Sequence, residues 1–479
     1  MNTFSFHTFM FPFRWKIADL EDRPFSEQID LSNIRYASSV SWERVFSPVV
    51  EKETDDLYNE RNYFYEFVHP ALYDDGSDST LIRHYERREP KHAEVTYKIV
   101  CGNDRKEYIL DVQSLNLNLY SSGVGVLSIY LYNNRYPYAQ DVLSINQYGR
   151  RVFPPFIGDV NIRTELAHSI GFEGLNGVYS EDFGRYTNTA KSNTPASFIS
   201  KMVHEVAENI ELQPVIDDRM FVLCWYKNDS FSERFQVSNA EYERFLYDEW
   251  WYKYTFVDAS YKTCPNDKLS QRLIETATYP RWQQWGTLYG VSRYSMVMLT
   301  GNGCPDYLTT YFETEYVRMA ELVLMQRATV LRFSSEVTKI TKMATQKGFG
   351  ERVSSLYKQY IHFVNQIYFR EISAQDQAIE MYQMLYSAVN VQEQVEKLDK
   401  EIEELYNYVS LREDRRTNRT MSLLTWITTI FLPITVITGY FSMNNLCDNP
   451  LMGLQTIVML CFAVIVISMV FFLNKKRIK

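Results

Sequence analysis

Residues 420–447 read TMSLLTWITTIFLPITVITGYFSMNNLC, and no charged side chain interrupts them. The stretch 449–474 is also uncharged, and within it residues 452–473 are apolar at 18 of 22 positions. An α-helix rises about 1.5 Å per residue, so 22 residues cover about 33 Å, enough to cross the hydrocarbon core of a bilayer. We therefore predict a membrane protein with two C-terminal transmembrane helices, 420–441 and 452–473, joined by a short outer loop, 442–451. Two buried helices of a soluble protein are the alternative.

Basic residues flank this pair of predicted spans. They are Arg412, Arg415, Arg416 and Arg419 before the first span, and Lys475, Lys476, Arg477 and Lys479 after the second. Because cytoplasmic flanks are enriched in Lys and Arg, we expect a multi-pass protein of the inner (plasma) membrane. Both termini, including the basic tail 474–479, are then cytoplasmic. The opening residues lack a basic n-region and a small-residue cleavage site, so no signal peptide is expected.

The remainder of the chain is acidic. The 479 residues carry a net charge of −9, although eight of the 50 basic residues and only three of the 59 acidic ones lie beyond Leu411. An acidic body is a poor surface for nucleic acid, so we expect no direct DNA or RNA binding. The hydrophobic content of 46% excludes a disordered chain. The six cysteines show no CxxC spacing, and this pattern favours reduced thiols in the cytosol.

A helical stalk is predicted over residues 305–419. Its helices are expected at about 305–347, 352–370 and 373–419. The last of these segments contains neither Gly nor Pro. Apolar residues recur along it at spacings of three and four, as in the seam of a coiled coil. They are Met381, Met384, Ala388, Val391, Val395, Leu398, Ile402, Leu405 and Val409. We expect this helix to run on into the first span. A helical linker with no further role is the alternative.

Residues 1–304 are predicted to form a layered α/β or α+β cytosolic domain that senses a ligand. Strand patterns cover 95–100, 108–112, 115–120, 124–132, 221–226 and 292–299, and helix patterns cover 195–209, 239–252 and 268–275. Gly123 and Gly125 lie between two of these strands and favour a hairpin turn over a phosphate loop. The domain contains no GxxxxGK[ST], HExxH or GxSxG motif. We therefore predict no enzyme, no catalytic residues and no covalent cofactor.

The first span carries a stripe of polar and small residues. Its members step by three or four, and they are Asn418, Met421, Thr425, Thr428, Leu432, Thr435 and Gly439. Polar groups in lipid are costly unless they meet another helix or water. The hydroxyls could bond to the backbone around Pro433, or the stripe could line a pore closed by several subunits.

The segment TIFLPITVITGYFSMN, residues 429–444, resembles the pore helix of the CorA magnesium-channel family. That family has a pattern like TxxxxPxTxxxGxxGMN, followed by a short outer loop, a second span and a basic tail. The resemblance implies a CorA-like homopentamer in the lipid bilayer, with five first spans around the ion path. It places pore-lining positions at Asn418, Met421, Leu424, Leu432, Thr435 and Gly439, and at the mouth Ser442, Met443 and Asn444.

The chemistry of these positions fits an ion path. Mg²⁺ gives up its water reluctantly, and a ring of Asn444 carbonyls could hold it hydrated, as permeant or regulatory ion. Leu432, Leu424 and Met421 would form apolar constrictions that block ions when dewetted. The family's Gly-Met-Asn reads Ser442-Met443-Asn444 here, and serine lacks the backbone freedom of glycine. Cation permeation is therefore expected, whereas Mg²⁺ selectivity is not carried over.

Two cytosolic segments suggest a ligand site. NQYGRRVFPPF, residues 146–156, contains Tyr148, Arg150 and Arg151, and YPRWQQWGTLY, residues 279–289, contains Arg281, Trp282 and Trp285. Arginine forks suit phosphates, and aromatic faces suit nucleobases. Arginines paired with acidic residues and tryptophans in the core are the alternative.

Three segments carry a narrower resemblance. FHTFMFPFRW at 6–15, GVGVLS at 123–128 and INQYGRRVFPPF at 145–156 look like the CorA-type membrane effectors associated with type III CRISPR systems. That resemblance implies an antiviral effector whose cytosolic domain binds a nucleotide second messenger, such as an S-adenosylmethionine–AMP adduct. A housekeeping Mg²⁺/Co²⁺ transporter regulated by intracellular divalent cations is one alternative, and a membrane-anchored adaptor or enzyme is another.

Overall fold

The structure is a computed structural model that describes most of the mixed domain, the helical segment after it and the first predicted span. It describes residues 3–20, 23–37, 41–46, 60–88, 94–102, 106–152, 167–183, 195–216, 219–236, 243–346 and 348–443, with Val458 and Val464. Its strands are β1 (Ser5–Ile17), β2 (Trp42–Arg44), β3 (Ile82–Arg87), β4 (Thr96–Cys101), β5 (Glu107–Tyr120), β6 (Val124–Asn133), β7 (Ala167–Glu173), β8 (Tyr179–Asp182), β9 (Ile210–Pro214), β10 (Phe221–Lys227), β11 (Thr278–Tyr279), β12 (Leu288–Ser292) and β13 (Ser295–Thr300). Its α-helices are α1 (Phe25–Gln28), α2 (His69–Leu72), α3 (Ala139–Gly149), α4 (Ser197–His204), α5 (Asp229–Gln236), α6 (Glu249–Phe256), α7 (Asp267–Ala277), α8 (Asp306–Glu313), α9 (Glu315–Lys342), α10 (Phe349–Gln366), α11 (Asp376–Val389) and α12 (Val391–Met443).

These strands form one sheet with the order β11-β12-β13-β10-β1-β6-β5-β4-β7-β8. Strand β3 joins β2 to β5, and β9 pairs with β1. Of the described pairs, β10 and β13 are parallel and the others are antiparallel. The mixed domain predicted from the sequence is confirmed. Its largely antiparallel sheet with packed helices makes it the α+β form.

The segment FHTFMFPFRW lies in β1, between β6 and β10 at the centre of the sheet. The strand is buried along nearly its whole length, which explains a nearly continuous apolar run in place of an alternating one. Phe9 contacts Gly149 of α3, where an added Cβ would lie 2.9 Å from the phenylalanine ring. This segment therefore lies in the core of the domain.

The glycines at 123 and 125 form the predicted hairpin between β5 and β6. Gly123 has a φ of 75°, a backbone conformation that residues with a side chain rarely adopt. A Cβ at Gly125 would lie 2.3 Å from the ring of Phe13 on β1. The first glycine makes the turn, and the second lets β6 approach β1 closely.

Histidine 7 is buried between β1 and α3 with polar partners on both ring nitrogens. Its Nδ1 lies 2.7 Å from Asn146 Oδ1, and its Nε2 lies 2.8 Å from Ser5 Oγ. Burial lowers the pKa of His7 from 6.5 to about 4. The folded chain therefore holds this imidazole neutral, whereas the unfolded chain protonates it below about pH 6.5.

We predict that His7 makes the domain less stable in mild acid. Between pH 6.5 and 4 the unfolded state binds a proton that the folded state excludes, so stability falls as the pH falls, by up to about 1.4 kcal/mol per pH unit. His7→Gln should flatten this slope in unfolding curves of the detergent-solubilised chain at pH 7 and 5.5. His168→Gln, at a half-exposed site on β7, serves as the control. An equal slope in wild type and His7→Gln contradicts the prediction.

Helix α9 packs on β1 and β6 and carries a charge pair in which Glu321 is buried and Arg318 is partly exposed. Arg318 Nη1 lies 3.9 Å from Glu321 Oε2, and Arg318 Nε lies 3.3 Å from Glu60 Oε1. The Asn118 amide of β5 donates to Glu321. Burial raises the pKa of Glu321, and Arg318 opposes that rise. The carboxylate thus depends on Arg318 for its charge compensation.

The stalk segment is divided at points that its sequence pattern does not reveal. The segment predicted as one helix at 305–347 contains α8 and α9, with a break at Thr314. The segment predicted at 373–419 breaks at Asn390, whose φ of 55° is left-handed. Asparagine tolerates this left-handed conformation better than most residues. The side-chain amide of Asn390 also bonds to the next turn, since its Nδ2 donates to Glu393 Oε2 over 2.7 Å.

The chain divides into two compact units, Met1–Ile402 and Glu403–Lys479. In the first unit, the start of α12 buries apolar residues at the predicted spacings of three and four, namely Val391, Val395, Leu398 and Ile402. In the second unit, α12 continues through Pro433 to Met443. The second predicted span lies outside the described residues except for Val458 and Val464, which are helical. The basic tail and most of the outer loop also lie outside them.

Candidate functional site

The membrane-crossing candidate is the second half of α12. Among the described residues, one helical stretch, Val391–Val436, contains a window apolar and long enough to cross a bilayer, and none of that window is buried. Met421, Leu424 and Leu432 are each more than half exposed. A row of exposed large apolar side chains is unfavourable in water and favourable in lipid or against another helix.

The threonines of this helix bond to their own backbone. Thr425, Thr428, Thr429 and Thr435 each donate to the carbonyl oxygen four residues earlier, over 2.6 to 2.8 Å. The hydroxyl hydrogen is therefore used inside the helix, and in Thr425, Thr428 and Thr429 the oxygen can still accept a hydrogen bond or contact a cation. The two interpretations of the stripe are thus compatible, since backbone bonding leaves an acceptor surface.

The predicted pore positions on α12 share one helical face, because their separations are sums of three- and four-residue steps. They are Asn418, Met421, Leu424, Leu432, Thr435 and Gly439, all exposed. Ser442 and Met443 form the last two residues of α12. Asn444, the predicted ligand for hydrated Mg²⁺, lies outside the described residues. Within the part of the chain that is described, no three His, Cys, Asp or Glu side chains form a possible metal site.

Arg150 ends α3 and is buried, only 2% exposed. Its Nη2 donates to Val257 O over 3.1 Å and to Gln147 Oε1 over 3.4 Å. Its guanidinium carbon lies 5.9 Å from the Tyr294 ring centroid. Arg151 pairs through its backbone with Arg219, and Tyr148 is half-buried. Arg150 thus bonds within the chain to a carbonyl and an amide oxygen, whereas the alternative interpretation of this segment expects bonds to an acidic residue.

The second predicted ligand segment, residues 279–289, bonds to α11 through two of its side chains. Arg281 Nη1 lies 2.6 Å from Glu380 Oε2, and the Tyr279 hydroxyl donates to the same oxygen. These two bonds hold the pKa of Glu380 below its usual value, with the hydrogen bond from Tyr279 as the largest cause. Trp282 stacks on Trp285 with ring centroids 4.8 Å apart. Trp285 is 46% exposed, so this stack does not lie in the core.

A cleft of about 650 Å³ lies beside these residues, between α7, β12 and α11. It is lined by Phe256, Leu273, Thr276, Ala277, Tyr279, Val291, Ser292, Arg293, Glu380, Gln383, Met384, Ser387 and Ala388. We call this set the α11 cleft. Its volume lies within the range of small-molecule sites.

The α11 cleft includes one residue of the two predicted ligand segments, Tyr279. The other segment does not line the cleft but contacts residues next to its lining. Arg150 bonds to Val257, which follows Phe256, and lies near the ring of Tyr294, which follows Arg293. Glu380 and Arg293 were missed in the sequence. Glu380 lies in a heptad-like helix about a hundred residues from its partners, and no local pattern marks such a contact.

A comparison with known protein families gave a match in the C-terminal part of the chain. Residues 335–476 match the family model described as CorA-like Mg2+ transporter protein. No curated protein and no solved structure gave a significant match to the chain. The matched segment begins within α9 and includes α10, α11 and α12. The C-terminal part of the chain is therefore similar to CorA-like Mg2+ transporters, over less than a third of the whole sequence.

Proposed function

We propose that this chain is the subunit of a CorA-like channel that passes divalent cations across the inner membrane. The observation that carries the proposal is the match of residues 335–476 to the CorA family model. Its physical support is the unburied apolar part of α12, which carries threonine hydroxyls that bond to the backbone of the same helix. Such a helix suits a position between lipid and a water-filled path.

The proposed assembly is a homopentamer with both termini cytoplasmic and two spans in each subunit. The exposed face of α12 supports it, because a polar stripe on a membrane span is costly in lipid and favourable when copies of the chain surround a water-filled path. In this arrangement Thr435 forms a polar ring, and Leu432, Leu424 and Met421 form apolar constrictions. Asn444 holds hydrated Mg²⁺ at the outer mouth.

The finer proposal is that a nucleotide second messenger, such as an S-adenosylmethionine–AMP adduct, gates the channel in a type III CRISPR antiviral response. What supports it is the connection between a cleft and the membrane helix. The α11 cleft borders α11, and only Asn390 separates α11 from α12. A ligand that shifts α11 therefore acts on the helix that continues into the predicted span.

The test is Mg²⁺ flux into liposomes that contain the purified protein and a magnesium-sensitive dye. We expect flux to stay at the level of protein-free liposomes until one member of a nucleotide panel is added. Flux without nucleotide that cytosolic Mg²⁺ suppresses contradicts the effector role and supports a constitutive transporter. Absence of flux under every condition contradicts the channel proposal.

A further inference from the structure

The α11 cleft combines an apolar floor with polar groups at its rim. Its apolar lining includes Phe256, which is half-buried, and the buried residues Ala277, Tyr279 and Val291, and we call these four residues its floor. Arg293, Gln383 and Ser387 are exposed lining residues. Small-molecule sites typically have this composition, with apolar walls for the body of the ligand and a few polar groups for its orientation.

The charges of the cleft favour an anion over a cation. Its one carboxylate, Glu380, already accepts from Arg281 and Tyr279, and these bonds lower its pKa. A cationic ligand would have to compete with both partners. The one guanidinium that lines the cleft belongs to Arg293, which lies at the turn between β12 and β13. Arginine binds phosphate and carboxylate oxygens with two parallel hydrogen bonds.

The remaining lining residues limit the body of the ligand. A flat ring can lie against Phe256 and Tyr279, because aromatic side chains favour stacked or edge contacts with another ring. The Gln383 amide and the Ser387 hydroxyl can each donate and accept, so they suit a ring with heteroatoms at its edge. A volume of about 650 Å³ holds a molecule of this kind with room for a sugar or a similar linker.

We propose that the α11 cleft binds an aromatic anion of nucleotide size, with its ring on the apolar floor and its phosphate at Arg293. This inference rests on the proposed function for its biological role, although the binding itself does not require a pore. Five lining residues, Glu380, Gln383, Met384, Ser387 and Ala388, share one face of α11. The bound ligand therefore fixes the face of the helix that ends beside Asn390.

The test is equilibrium binding of AMP, adenosine and ribose 5-phosphate to the detergent-solubilised full chain. AMP should bind about tenfold more tightly than either fragment, because only AMP uses both the floor and Arg293. Arg293→Ala should weaken AMP about tenfold and leave adenosine unchanged. Ser387→Trp should weaken both, since the indole occupies the cleft. Arg272→Ala on α7, an exposed arginine outside the lining, is the matched control.

Three results would overturn the assignment. The first is no AMP binding at millimolar concentration. The second is an equal AMP affinity in the wild type, Arg293→Ala and Ser387→Trp. The third is a loss of AMP affinity in Arg272→Ala as large as that in Arg293→Ala. Liposome flux separates this inference from channel gating. AMP binding that depends on Arg293, in a chain whose flux ignores nucleotides, contradicts gating and supports the cleft. Nucleotide-dependent flux that survives both Arg293→Ala and Ser387→Trp supports gating and overturns the cleft.

Discussion

Leu432→Asn is expected to raise the ligand-free Mg²⁺ flux of the reconstituted protein by about tenfold or more. In the proposed pore, every subunit contributes Leu432 to an apolar constriction that excludes water, and an amide at this position lets water and ions enter. A barrier lowered by about 1.4 kcal/mol accounts for a tenfold rate increase, and several side chains change at once.

Ile434→Asn is the matched control for this change. Leu432 and Ile434 lie in the same turn of α12 and are 58% and 48% exposed. Two residues of helix correspond to about 200°, so Ile434 lies on the face away from Leu432, Thr435 and Gly439. Flux should stay at the wild-type level in Ile434→Asn. An equal leak from both variants, or none from Leu432→Asn, contradicts the assigned pore face.

Arg318→Met is expected to destabilise the first compact unit, Met1–Ile402, by about 3–5 kcal/mol. The substitution leaves Glu321, only 3% exposed, as a buried carboxylate without its cation, and a buried charge that loses its partner costs this much. It also removes the contact with Glu60 on the segment before α2. The measurement is the free energy of unfolding of the detergent-solubilised chain in denaturant, followed by tryptophan fluorescence.

Two further variants separate charge burial from general damage. Arg135 and Asp111 form a more exposed pair at 2.8 Å, so Arg135→Met should cost at most about 1 kcal/mol. Adding Glu321→Leu to Arg318→Met should recover much of the loss, because the uncompensated carboxylate is then removed. A loss in Arg318→Met no greater than that in Arg135→Met contradicts the buried-charge interpretation.

The sequence predicts local features of the chain better than it predicts contacts between distant segments. The uncharged stretch at 420–447 and the threonine stripe are local properties of composition and period, and α12 shows both in its described part. Segment patterns also predicted β4, β6 and β10 to within about one residue, since short runs of apolar and β-branched residues favour strands. The two strands expected at 108–112 and 115–120 form one continuous strand, β5, with a register irregularity between Val112 and Ser114.

Ligand residues were harder to predict, because the identity of a side chain does not reveal its partner. For Arg281 the sequence left a phosphate or an acidic residue open as the partner, and in the structure it pairs with Glu380. Arg150 lies in the same kind of Pro- and Gly-rich segment, and it is buried against Val257. In both cases the partner lies about a hundred residues away, where no periodic pattern extends.

By itself, therefore, the sequence determined an acidic mixed domain, a helical segment and an apolar C-terminal part that matches a transporter family. Only the tertiary structure decided the break at Asn390, the Arg318–Glu321 pair and the α11 cleft. The physical reason is range. Hydrophobic period and charge act between neighbours along the chain, whereas a cleft or an ion pair exists only when packing brings distant segments into contact.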